Sequence, residues 1–93
     1  MITVHRVGDG ERLLFEVRVE TGGSVTRHRV TMASATGARL CPGCSEERCI
    51  EAAFRFLLDR EPKESILEQF DVTLIPRYFP DFERELPNYL QHS

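Results

Sequence analysis

The sequence predicts an α+β domain: a three- or four-stranded antiparallel sheet with an N-terminal β-meander, and two or three helices packed on one face. Three observations predict it. Residues 2–32 alternate apolar and polar side chains, the period of a half-buried strand. That alternation is interrupted at Asp9-Gly10 and Gly22-Gly23, dipeptides that tolerate the positive φ angles of two-residue hairpin turns. From Ser45 onward the apolar spacing changes to the three- and four-residue steps of an amphipathic helix. At 93 residues the chain is read as one compact domain, 1–93, large enough for a modest core.

Each turn fixes a register that can be checked. Centred on Gly22-Gly23, Val19 faces Thr26, Val17 faces His28, Phe15 faces Val30 and Leu13 faces Met32. A two-residue turn at Asp9-Gly10 sets Val4 opposite Phe15 and Ile2 opposite Val17. Both turns place Ile2, Val4, Leu13, Phe15, Val17, Val19, Val30 and Met32 on one face, an agreement that a one-residue slip would destroy. The opposite face carries Arg12, Glu16, Arg18, Glu20, Arg27 and Arg29. It is mixed in sign and lacks the aromatic platforms on which RNA-reading sheets stack bases, so it reads as a solvated face. The small, polar stretch ASATGAR that follows reads as a loop.

The first helix is expected over 45–59, with Ser45 as N-cap, Glu46 and Glu47 in the first turn, and Ile50, Ala53, Phe54, Leu57 and Leu58 on its apolar side. A second helix is expected over 62–70, with Pro62 at its first position. Residues 72–75 alternate and stop at Pro76, which suits a fourth strand; the alternative is a helix beginning at Leu74 with Thr73 as its cap. A last helix over 80–91 unites Phe82, Leu86, Tyr89 and Leu90 on one face, kinked or shortened by Pro87.

Three cysteines fall within nine residues at the mouth of the first helix, and three readings compete for them. Cys41-x2-Cys44-x4-Cys49 opens like a zinc knuckle, but the knuckle's fourth position is Phe54. A metal ligand set would therefore be Cys41, Cys44 and Cys49 completed by a histidine. His5, His28 and His92 are available, and His28 lies on the inward face of the predicted sheet. Alternatively, CPGC ahead of a helix resembles a redox pair, whose thiolate a helix N-terminus stabilises. That pair belongs after a strand of a βαβ unit, and here it follows a meander and a loop. The third reading needs no chemistry. Cys44 before the cap and Cys49 in the first turns touch as a hydrophobic staple, and Cys41 is an incidental loop thiol.

Composition limits the function classes. The net charge is −3, with six arginines against four acids in residues 1–45 and six basic against eleven acidic residues in 46–93. The basic excess is too slight for a typical nucleic-acid face. The segment ESILEQFDVTLIPRYF permits a helix-turn-helix DNA-binding alternative, with Arg77 and Tyr78 on its second helix and Asp71 where the motif usually has glycine. Phosphate-cradling glycine loops, nucleophile elbows and paired metal histidines are absent, so no catalytic residue is assigned and the protein is read as non-enzymatic. No cofactor is assigned, zinc being the alternative. The sequence shows no signal-peptide layout, and an odd cysteine count fits the cytoplasm.

The segments FRFLLDREPKESIL and IPRYFPDFEREL resemble small bacterial proteins of unassigned function. The resemblance covers the second half of the chain and implies a bacterial, cytosolic protein without implying an activity or a ligand. The aromatic content points to a protein-interaction or homo-oligomerising module. Phe56, Tyr78, Phe79 and Phe82 are the residues expected to form an apolar patch for a protein partner or a second copy, with no membrane involved.

Overall fold

In the computed structural model, which describes residues 1–90, strands β1 (Ile2–Gly8), β2 (Arg12–Thr21) and β3 (Ser24–Ala33) form the predicted meander. Gly22 and Gly23 sit at φ 62° and 80°, the left-handed region that a tight hairpin turn requires. The β2–β3 register is the predicted one, pairing Val19 with Thr26, Val17 with His28, Phe15 with Val30 and Leu13 with Met32.

The β1–β2 register differs from the expectation. Ile2 pairs with Val19, Val4 with Val17 and Arg6 with Phe15, two residues further along β2 than a two-residue turn at Asp9-Gly10 dictates. The pairing shifts between Arg6 and Gly8, where a bulge lengthens the connection. A displacement of two preserves the side-chain parity, so the predicted inward face survives the wrong register. Leu13, Phe15, Val17, Val19, Val30 and Met32 are buried, whereas Ile2 and Val4 remain half-buried on the edge strand.

Four further corrections concern the connecting segments. The expected loop at ASATGAR is helix α1 (Ser34–Leu40), and its small residues are there for packing. A Cβ at the buried Gly37 would lie 2.8 Å from Met32 Cε, so the helix rests almost directly on β3. The expected helix over 62–70 is instead a 3-10 turn at Lys63–Ser65 followed by strand β4 (Gln69–Asp71). The fourth strand therefore exists, but earlier than 72–75 and parallel to β3, making a mixed sheet of order β1-β2-β3-β4. Residues 72–75 form a 3-10 turn, Val72–Leu74, leading into the four-residue helix α3 (Ile75–Tyr78). The cap is Asp71, whose carboxylate accepts from the Thr73 N–H at 3.1 Å.

Helix α2 (Glu46–Leu58) starts as predicted, with Ser45 Oγ accepting from the Arg48 N–H at 3.2 Å. Arg6 ties β1 to this helix start, reaching Glu46 at 2.6 Å and Glu47 at 3.3 Å while lying over the Phe15 ring. The helix is buried on two sides. Ile50, Ala53, Phe54 and Leu57 are buried, as the sequence spacing implies, but so are Ala52 and Phe56. Phe56 packs against α4 (Phe82–Leu90), with Phe56–Phe82 and Phe56–Tyr89 ring centroids 5.1 and 5.9 Å apart. The layers are thus sheet, α2 and α4, and residue 91 of the expected last helix lies outside the described residues. Among the described residues, no helix is long and apolar enough to cross a membrane.

Asp71 fastens β4 to its neighbours. Its carboxylate accepts from Thr31 Oγ1 at 2.5 Å and Thr73 Oγ1 at 2.7 Å, and pairs with Arg12 at 2.7 Å. Burial opposes ionisation of Asp71, but the hydrogen bonds from Thr31 and Thr73 and the charge of Arg12 outweigh it and hold the carboxyl below its usual range. A depressed carboxyl contributes stability that is present at neutral pH and lost as pH falls through the folded value. Asp71→Asn is therefore expected to cost about 1–3 kcal/mol at pH 7, and progressively less as the pH falls through the folded value and the wild-type carboxyl protonates. Urea unfolding of both proteins across an acid pH series measures this, and a cost that does not shrink toward low pH would contradict it.

Candidate docking groove

The segment expected to form the second helix instead walls an apolar concavity. Pro62 and Ser65 close the 3-10 turn, the Ser65 N–H donating to the Pro62 carbonyl at 2.9 Å, and the chain then runs extended along β3. Ile66 turns into the core while Leu67 faces outward, half exposed. The turn into α3 brings Leu74, Tyr78 and Phe79 around to the same place. The resulting groove holds about 340 Å³ and is walled by Leu57, Ile66, Leu67, Phe70, Leu74, Ile75, Tyr78 and Phe79. Its polar lining is Glu61, just beyond the C-terminal end of α2, and Ser65 of the 3-10 turn. Burial among these apolar walls pushes the Glu61 carboxyl above its usual range.

His28 holds the outer wall in place. The ring is buried, 5.3 Å from the Phe54 ring, with Nδ1 at 2.7 Å from the Leu67 carbonyl and Nε2 at 2.9 Å from Thr26 Oγ1. A carbonyl can only accept, so Nδ1 carries the proton and donates to it. In the neutral ring, Nε2 then accepts from the Thr26 hydroxyl. The sequence offered His28 as a metal ligand; the fold uses both nitrogens to fasten Leu67 beside β3.

The cysteines also divide differently from any of the three sequence readings. Cys41, at the end of α1, and Cys49, in the first turns of α2, form a disulfide with Cα atoms 5.8 Å apart. Both are buried, and Cys44 is a half-buried free thiol packed against the core. Cys41 is thus a structural link between two helices rather than an incidental loop thiol, and CPGC does not pair within itself. The structure does not assemble Cys41, Cys44, Cys49 and His28 into one ligand set. Among the described residues, no group of three or more His, Cys, Asp or Glu side chains is placed to hold a metal ion; His92 lies outside them.

Of the expected aromatic patch, Phe56 and Phe82 are fully buried in the α2–α4 interface. Arg60 closes over the first of them: its guanidinium lies 3.6 Å from the Phe56 ring centroid and pairs with Asp81 at 2.9 Å. Phe79 is half-buried with its ring 5.9 Å from Phe56, and Tyr78 is 68% exposed. Only Tyr78 and Phe79 therefore reach the groove. Leu67, Phe70 and Glu61 belong to it without having been singled out in the sequence. The available signal was Leu67 directly after Ile66, since in an extended segment two successive apolar side chains cannot both face the core. The helix-turn-helix reading is overturned, because its first helix is extended chain and its second, α3, has only four residues.

The disulfide yields a direct test. A cross-link across a sequence separation of eight is expected to contribute about 2–3 kcal/mol by restricting the unfolded chain. Reduction, or Cys49→Ser, should lower stability by that amount in urea unfolding, while Cys44→Ser should leave the bond intact by mass spectrometry. A Cys44→Ser protein lacking its disulfide would contradict the pairing.

Comparison with known proteins found no matching family model, no matching curated protein and no matching solved structure.

Proposed function

We propose that this is a non-enzymatic, cytoplasmic protein-interaction module that docks an apolar, basic segment of a protein partner in the groove between the end of α2 and residues 65–79. One observation carries the reading. Among the described residues the exposed large hydrophobics are Met1, Val7, Leu67 and Tyr78, and two of these four border the same concavity. Exposed apolar side chains that flank a preformed apolar groove are the usual composition of a docking site.

Charge supports the choice of partner. Glu61 lies in the groove with its carboxyl raised by burial, and Glu64, paired with Lys63 at 3.0 Å, and Glu68 follow it in sequence. A lysine or arginine brought in beside apolar anchors would pair with Glu61 and offset the cost of its burial. Binding of such a segment should weaken as pH falls through the raised Glu61 value, because the carboxylate needed for pairing is then lost. In a reducing cytoplasm the buried Cys41–Cys49 bond is reached slowly by exchanging thiols.

Selection of a random peptide library on the folded protein tests the proposal. The expected consensus has two apolar positions and an adjacent Lys or Arg. Selected peptides should lose at least tenfold in affinity to Tyr78→Asp and Leu67→Asp proteins, and severalfold to Glu61→Gln with its fold unchanged. Peptides that bind all three variants as tightly as the wild type would overturn it.

A further inference from the structure

We infer that the free edge of β1 pairs with the same edge of a second copy, antiparallel about a two-fold axis through Val4, to make a continuous eight-stranded sheet. The inference is independent of the groove, which lies toward β4 at the opposite edge.

The two edges of the sheet are built unequally. β4 is three residues long and ends in the 3-10 turn at Val72–Leu74. β1 runs for seven residues with no proline and no lysine, two devices that usually blunt an exposed edge. The main-chain pattern then limits the possible partners. Met1 and Glu20 exchange both backbone hydrogen bonds, Met1 N to Glu20 O at 2.7 Å and Glu20 N to Met1 O at 2.8 Å. Since antiparallel pairs alternate between bonded and non-bonded types, the odd residues of β1 spend their N–H and C=O groups on β2. Ile2, Val4 and Arg6 therefore point theirs toward the open edge.

A two-fold pairing along this edge must match even residues with even ones. The register centred on Val4 does so, setting Val4 against the partner's Val4 and Ile2 against the partner's Arg6. It also uses the full length of the edge up to the bulge that follows Arg6. On the open face of the sheet it places Met1 directly opposite the partner's Val7. These are the two exposed apolar residues left unexplained by the groove, 77% and 48% accessible. On the inner face it covers the half-buried Ile2 and Val4, the only members of the predicted core face that a single chain leaves partly open. The surface is thus self-complementary, as an isologous interface requires.

Sedimentation velocity across a concentration series tests this on the intact chain. The wild type is expected to pass from 10.7 kDa to twice that mass, and Val7→Lys to remain at 10.7 kDa with an unchanged circular dichroism spectrum. Val4→Pro should do the same, because by the alternation of the ladder the Val4 N–H faces the open edge and not β2. On a Cys44→Ser background, Val4→Cys should cross-link between chains under mild oxidation and Thr3→Cys should not. A strict monomer at high concentration, a dimer unaffected by Val7→Lys and Val4→Pro, or cross-linking through Thr3→Cys in place of Val4→Cys would each overturn the proposal. If the wild type is monomeric but captures extended peptides, the edge accepts a different strand and the two-fold account fails.

Discussion

The outer edge of β3 is the constraint on which the second half of the molecule depends. A central strand cannot leave its N–H and C=O groups unpaired beneath packed side chains, and the meander alone leaves β3 without a neighbour on that side. The chain meets this demand with residues 67–71. The Arg29 N–H donates to the Glu68 carbonyl at 2.7 Å, His28 holds the Leu67 carbonyl, and Asp71 takes the Thr31 hydroxyl. The requirement outweighs the helical tendency of KESILEQF, because a helix there would satisfy its own backbone and leave that of β3 exposed. It also determines the surface. Once the segment is extended, Ile66 and Leu67 must point in opposite directions, and Leu67 is left beside Tyr78 at the groove.

The second organising feature is a helix buried on both sides. α2 lies on the sheet through Ile50, Ala53, Phe54 and Leu57, and offers Phe56 to α4 on its far side. A helix with apolar residues on more than one face requires more than one cover. Arg60, Asp81, Tyr89 and Asp59 complete that cover as a chain of polar contacts, Tyr89 donating to Asp59 at 2.6 Å. Aromatic side chains that looked too numerous for a two-layer core are absorbed by a third layer. What remains at the surface is correspondingly smaller and more specific.

How much was legible follows from the range of each interaction. The β2–β3 hairpin was readable because Gly22-Gly23 and strict alternation both act within a few residues. So was the start of α2, where Ser45, Glu46 and Glu47 announce a cap. The β1–β2 register was missed by two residues because a bulge beyond Arg6 leaves no trace in the alternation, yet the inward face was still correct. β4 was misplaced because its stabilisation comes from a strand about forty residues away. The Cys41–Cys49 bond is not legible in the sequence because it depends on α1, whose small, polar residues look like a loop and yet deliver Cys41 to Cys49. The candidate site suffered most: Phe56 and Phe82 were assigned to it, and Leu67 and Glu61 were overlooked, because the α2–α4 contact and the path of residues 65–71 are both long-range.

Amide hydrogen exchange at Arg29 tests most directly whether β3 recruits residues 67–71 in the way described. Its N–H points at the Glu68 carbonyl, away from β2, so among the described residues its protection comes from that segment. The account predicts that the Arg29 amide exchanges as slowly as the core amides of the β2–β3 hairpin. Exchange at the rate of an unprotected edge amide, with the hairpin itself still protected, would mean that the segment is not held there and that the groove it walls is not a fixed feature of the protein.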